Sequence, residues 1–256
     1  RIGASPPWAP GRSGYDQAMS HDHATVAEQE YLQIIFWLQE AGLPMTPANV
    51  ARAMQVSAPT VHEMVGRLEA DGYVTRASDK SIEFTESGVG HAENVVRRHR
   101  LIERFLTDVF DIPWDQVHEE AEKLEHWMSP TVEERMLKAI GDADTCPHGH
   151  PIFSHKRLPG VPLADVEIGA KVRVLRFENE AEDLLHYLME SGLTPGLEGT
   201  LSQSDDEVVA IEGSDGKTYS VSQSVAQTVS VSADPSPPPR VALPEQLVLA
   251  KEHWGR

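Results

Sequence analysis

Cysteine is almost missing from this chain. Among 256 residues only Cys146 is present, so no intramolecular disulfide can form. Positive charge is also scarce, with 22 Lys and Arg against 40 Asp and Glu and a formal charge of −18. That deficit excludes a broad electrostatic grip on nucleic acid, whose affinity comes largely from neutralised phosphates. Long hydrophobic runs are missing as well. No charged start followed by an apolar run of signal-peptide or membrane-spanning length is present, and the chain is read as soluble and cytoplasmic, without a membrane partner. With 40% apolar residues it can still bury a core, and at domain sizes of about 100–150 residues it should hold two or three compact units.

Residues 1–23 are rich in Gly, Pro and Ser, lack an apolar period and read as a disordered leader, with Met19 as a possible start. The pattern Leu32, Ile35, Phe36, Leu38 then predicts an amphipathic helix from Val26 to a glycine cap at Gly42. Thr46 as N-cap with Pro47 in the first turn opens a second helix, and Ser57 with Pro59 a third, which Asp71-Gly72 stops. Tyr73–Thr75 and Ser81–Thr85 follow as two strands around the turn Ser78-Asp79-Lys80. Helix, helix, short turn, helix and hairpin make a winged helix-turn-helix, assigned to residues 24–92. The charge problem persists within it, since residues 21–96 carry eleven acidic side chains against Arg52, Arg67, Arg76 and Lys80. A DNA-binding unit so composed needs a reason to bind, and bound cations would supply one.

A helical unit follows over 93–160. A long helix from Ser87 to Phe110 carries more apolar surface than one domain needs, and a dimer seam is the simplest use. Beyond Pro113, Trp114–Met128 forms another helix and Pro130–Ile140 a third. Short strands, a helix across Glu182–Glu190 and regular turns over 161–232 predict a small β-barrel. Residues 233–256, opening on Pro235-Ser236-Pro237-Pro238-Pro239, read as a tail. The fold is therefore mainly α with α+β parts.

The chemistry lies in the middle unit. His118, Glu122, Glu125 and His126 follow one another at offsets of four, three and one, which on a continuous helix places them within one narrow arc. That arc adjoins the apolar stripe of Val117, Ala121, Leu124 and Met128. His99 and Glu103, one turn apart on the preceding helix, lie on the side of Val95, Val96, Ile102 and Leu106. Each pair alone could be a surface salt-bridge face. Six such side chains beside apolar stripes on consecutive helices point instead to metal, because buried charges need partners. Imidazole and carboxylate without thiolate suit Mn(II), Fe(II) or Zn(II).

The run Arg97-Arg98-His99-Arg100-Leu101-Ile102-Glu103, followed by Val117 through Ser129, resembles the diphtheria toxin repressor family of iron- and manganese-dependent regulators. The resemblance covers about residues 26–232. It includes Ser57-Ala58-Pro59-Thr60-Val61, the wing turn Ser78–Ser81 and the loop Pro147-His148-Gly149-His150-Pro151-Ile152. It implies a homodimeric repressor of manganese or iron homeostasis genes, activated by metal for binding to double-stranded operator DNA, and not an enzyme acting on a small-molecule substrate. It further implies an SH3-like, FeoA-type C-terminal barrel.

By position, Glu30, Glu122, Glu125 and His126 match the family's primary metal site. His99, Glu103 and His118 match its ancillary site, to which Glu180, Glu182 or Asp183 from the barrel would add ligands, with His186 as a further alternative. Iron-sensing members have methionine and cysteine where Glu30 and Glu122 stand here, so the resemblance favours Mn(II), with Fe(II), Co(II) or Zn(II) as alternatives. Gln33 replaces a glutamate found in some manganese sensors. Ser57, Pro59, Thr60, Glu63 and Arg67 fall on the groove-facing helix and Lys80 on the wing. Glu63 is an unusual residue there, since a glutamate can accept from cytosine N4 yet repels phosphate. Cys146, His148 and His150 have the composition of a zinc cluster, but no fourth ligand is apparent and the family's loop there is structural. A rival reading is a metal-dependent hydrolase with Glu122 or Glu125 as general base. Another is a DNA-binding module whose effector is not a metal.

Overall fold

The computed structural model describes residues 24–234, so the expected leader and all but the first residues of the expected tail lie outside it. Three apolar cores organise the chain.

The first belongs to the winged helix-turn-helix. Helix α1 (Val26–Glu40) starts on a capping box in which Thr25 and Glu28 satisfy each other's backbone N–H groups. Helices α2 (Pro47–Met54) and α3 (Ala58–Ala70) start on Thr46 and Ser57, each with proline in the first turn. The strands β1 (Val74–Arg76) and β2 (Ile82–Phe84) pair antiparallel, Val74 opposite Phe84. Leu32, Ile35, Val61, Val65, Leu68 and Ile82 are fully buried where these elements meet. Each such aliphatic burial contributes about 1.5–3 kcal/mol.

Helix α4 (Glu86–Phe110) leaves this unit directly from the wing. A Cβ on Gly88 would stand 1.8 Å from the Tyr73 carbonyl oxygen, so only glycine lets the helix start so close to the wing. Around the far half of α4 pack α5 (Val117–Leu124) and α6 (Pro130–Ala139), with Leu101, Ile102, Val117 and Ala121 in the second core. The single helix expected over Trp114–Met128 is shorter: α5 ends at Leu124 and a 3-10 turn follows over Glu125–Trp127. Glu125 and His126 therefore lie on this turn and not on the helix that carries His118 and Glu122. The apolar residues expected to form a dimer seam also divide: Val95, Val96, Ile102 and Leu106 are buried within the chain, whereas Val109 is exposed, and so is Phe110 beside it.

The third core lies under a six-stranded antiparallel sheet in the order β3-β8-β4-β5-β6-β7. Its strands are β3 (Val161–Pro162), β4 (Lys171–Phe177), β5 (Glu198–Ser204), β6 (Val208–Gly213), β7 (Thr218–Ser222) and β8 (Val229–Asp234). Leu185 and Leu188 of helix α7 (Glu182–Glu190) share its core with Phe177, Leu201 and Ile211, and a four-residue helix α8 (Gln223–Ala226) adds Ala226. The expected barrel is not closed, since the outer strands β3 and β7 do not pair with each other. With only two residues in β3, that edge offers too few hydrogen bonds for closure. Among the described residues, no helix is long and apolar enough to cross a membrane.

Candidate metal centre

Two adjoining spaces hold the sequence-predicted ligands. The inner one lies where α4, α5, the loop before β3 and the β4–α7 connection meet. His99 and Glu103, one turn apart on α4, put Nε2 and Oε1 2.9 Å apart, and both are buried. His118 of α5 brings Nδ1 to 3.1 Å from His99 Nε2 and 3.2 Å from Glu103 Oε1. From the C-terminal unit, Glu180 places Oε2 3.5 Å from His118 Nδ1.

The loop after α6 adds donors that the sequence reading set aside. His148 Nδ1 lies 3.3 Å from both Glu103 Oε1 and Glu180 Oε1, and the Cys146 thiol belongs to the same group. The partners that Cys146 and His148 lacked in the sequence are thus two carboxylates from far away in the chain, Glu103 and Glu180, while His150 is not in the set. Two overlapping sets, His99/Glu103/His118/Glu180 and Glu103/Cys146/His148/Glu180, each have donor atoms within 4.8 Å of one another. His150 also approaches the group, its Nε2 3.5 Å from Glu180 Oε1, but that nitrogen donates to the Phe177 carbonyl at 2.7 Å and Nδ1 faces Arg157. The run Cys146-Pro147-His148-Gly149-His150 was the available signal; only the tertiary structure shows which of its donors join the pocket.

Electrostatics tie these groups together. Burial alone would lower the pKa of His99, but Glu103 and Glu125 outweigh it and hold the imidazole well above its ordinary value. Burial likewise opposes, and Glu103 and Glu122 reverse, the shift of His118, which is pushed up to about 9. Burial would raise Glu180, and the Glu103 carboxylate adds to that, yet His148 and His150 bring it down to about 2. Two buried atoms, Glu103 Oε2 and His148 Nδ1, have no hydrogen-bond partner. A buried acceptor and a ring nitrogen left open amid further carboxylates and imidazoles are what a bound cation would satisfy, so this donor set fits a divalent metal.

The outer space is an open chamber of about 950 Å³ lined by Glu30, Glu122, Glu125 and His126, with Gln33, Glu182 and Asp183 on its walls. These ligand candidates share the chamber without forming a tight group. Glu30 is exposed on α1, and Glu122 turns to His118, its Oε1 3.5 Å from Nε2. Glu125 is buried: its Oε2 accepts from His99 Nδ1 at 2.6 Å and from Gln33 Nε2 at 3.3 Å. His126 donates from Nδ1 to Gln29 Oε1 at 2.9 Å.

Of the alternatives from the C-terminal unit, Glu180 alone reaches the inner pocket. Glu182 and Asp183 begin α7 and are exposed, because the chain turns outward at Ala181. His186 faces Asp115 instead, at 2.9 Å.

On the DNA side, Ser57 caps α3 through the Thr60 N–H, and Pro59, Thr60 and Glu63 are exposed. Arg67 is half-exposed and pairs with Glu28 of α1 at 3.0 Å. Lys80 sits in the wing turn with a positive φ of 68°.

A winged helix-turn-helix joined to a helical unit with a pocket of imidazoles and carboxylates defines a DNA-binding protein controlled by a cation. Comparison with known proteins agrees. Residues 23–82 match the iron dependent repressor N-terminal DNA binding domain, 85–154 the iron dependent repressor metal binding and dimerisation domain, and 161–233 the FeoA domain. The iron-dependent repressor IdeR of Mycobacterium tuberculosis is 35% identical over 197 residues, covering 71% of this chain and 86% of the relative. The diphtheria toxin repressor of Corynebacterium diphtheriae is 32% identical over 216 residues, covering 78% and 94%. A manganese-dependent transcriptional repressor solved in complex with manganese superimposes with a TM-score of 0.72 at 29% identity, covering 80% of this chain and 98% of that one. The chain belongs to the diphtheria toxin repressor family of metal-dependent, DNA-binding transcriptional repressors, and is not an enzyme.

Proposed function

We propose that the chain is a manganese-activated repressor of metal-homeostasis genes that acts in the cytoplasm as a homodimer on double-stranded operator DNA. The observation that carries this reading is the chamber shared by Glu30 of the DNA-reading unit and Glu122, Glu125 and His126 of the helical unit. A bound cation supplies positive charge between carboxylates of two units that would otherwise repel. Glu30 and Glu122 are hard oxygen donors, which favour Mn(II) over softer ions.

The chain's own residues carry the consequence to DNA. Glu28, on the first turn of α1, accepts from Arg67 on the groove-facing helix α3, and the shared core of Leu32, Ile35, Val61 and Val65 ties the two helices together. Ser57, Pro59, Thr60 and Glu63 meet base edges and the adjoining phosphates, and Lys80 reaches the backbone from the wing. In the dimer, exposed Val109, Phe110 and Trp127 meet the second copy, and its spacing sets two α3 helices on successive major-groove turns.

A second reading, response to Fe(II), is favoured by the thiol of Cys146 in the inner pocket. Operator binding followed by fluorescence anisotropy in Mn(II), Fe(II) and EDTA separates the readings. Tight binding in Mn(II) alone is expected. Equal binding in EDTA refutes metal control, and preference for Fe(II) replaces the first reading by the second.

A further inference from the structure

We propose that Gln29 is a positioning residue of the outer site, contributed by the DNA-reading unit, which holds His126 in its ligand form. This rests on the cation reading of the chamber given above. The two ends of the Gln29 amide are distinguishable. Its Nε2 donates to the Ala24 carbonyl at 2.8 Å, which fixes the orientation of the group and leaves Oε1 to face His126 Nδ1 at 2.9 Å. A carbonyl oxygen can only accept, so the ring hydrogen must sit on Nδ1. In the neutral ring Nε2 then keeps its lone pair, and this is the nitrogen beside Glu125, 3.3 Å from its Oε1. The side chain of His126 is 6% exposed, so water has little access to compete for Nδ1. Metal-binding histidines are held in this way by an oxygen on the second ring nitrogen.

Gln29 also joins the site to the DNA-reading unit. It adjoins Glu28, the residue bonded to Arg67 of α3. Glu30, the α1 residue singled out from the sequence, is exposed and makes no such bond to His126 among the described residues. The link that holds His126 from α1 is therefore a neutral amide one position earlier.

Gln29→Met keeps side-chain length and removes both amide ends, and Gln29→Glu restores an acceptor toward Nδ1. Manganese binding to the full chain is followed by calorimetry, and the His126 tautomer of the metal-free protein by long-range nitrogen–proton NMR. For Gln29→Met we expect a loss of outer-site affinity of about tenfold and movement of the His126 hydrogen from Nδ1 toward Nε2. Gln29→Glu should keep the Nδ1–H form and recover most of the affinity. A simple loss of packing would not be rescued by the carboxylate. An unchanged tautomer or an unchanged affinity in Gln29→Met, with the wild type binding manganese, overturns the positioning role alone. A wild type that takes up no manganese overturns the cation reading of the chamber as well.

Discussion

His99 Nδ1 and Glu125 Oε2 stand 2.6 Å apart, and this hydrogen bond is the common wall of the inner pocket and the outer chamber. The other nitrogen of His99 faces Glu103 and His118. One imidazole thus belongs to the inner donor set while its second nitrogen is held by a carboxylate of the outer one, and the two spaces cannot be independent.

Glu125→Gln should therefore weaken both sites. A neutral amide holds the His99 N–H less firmly, and an inner-site loss of about tenfold in manganese affinity is expected. Glu30→Gln, changed in the same chamber but without a bond to His99, should spare the inner site. Calorimetry of the two variants makes the comparison, and equal inner-site affinities would contradict the shared wall.

Protons and metal compete for the same imidazoles. His118 is raised to about 9 in the metal-free protein, and His99 lies well above its ordinary value. Metal requires the unprotonated ring, so binding near pH 7 should release at least one proton and affinity should climb as pH rises toward 9. The stability sign follows the same linkage. A group whose folded pKa is raised stabilises the metal-free fold fully below its unfolded value, near 6.5 for His118, and that contribution is lost as pH rises through about 9. Calorimetry in buffers of different ionisation enthalpy checks the release, and heat independent of buffer would exclude it.

Gly149 places His148 in the pocket. Its φ of +92° is unfavourable for other residues, and a Cβ would stand 2.0 Å from the Leu175 carbonyl oxygen on β4. Gly149→Ala should push the Cys146–Pro151 loop off β4 and cost about 1–3 kcal/mol of stability from the strained backbone alone. Thermal unfolding with and without manganese should show a lower Tm and a smaller metal-induced rise. An unchanged rise would mean that His148 is not needed for binding.

Cys146 distinguishes the two overlapping donor sets. If Co(II) takes the set containing Cys146, the protein shows thiolate-to-metal charge-transfer absorption that Cys146→Ser removes while binding persists through His99, Glu103, His118 and Glu180. Absence of that band in the wild type would assign the ion to the imidazole-rich set.

Much of the architecture was legible along the chain because its causes are local. Thr46 with Pro47 and Ser57 with Pro59 mark helix starts, each cap accepting from a backbone N–H three residues on. Buried spacing did the same for Val61, Val65 and Leu68. The pairing of His99 with Glu103 also needed only one helical turn. One local rule was extended too far: the arc drawn through His118, Glu122, Glu125 and His126 presumed an unbroken helix, whereas a 3-10 turn begins at Glu125, and it is the packing around them that still brings all four onto one chamber.

The amino-acid sequence by itself determined the winged helix-turn-helix, the helical unit, the strand-rich C-terminal unit and the kinds of donor atom available, since caps, periodicity and residue chemistry act over a few positions. Only the tertiary structure decided that Glu180 and not Glu182 or Asp183 reaches the pocket, that Cys146 and His148 face Glu103, and that Gln29 holds His126. Those choices depend on how separate cores pack and on where a chain turns. A one-residue change of direction moves a side chain from a buried site to solvent, and no local pattern records it.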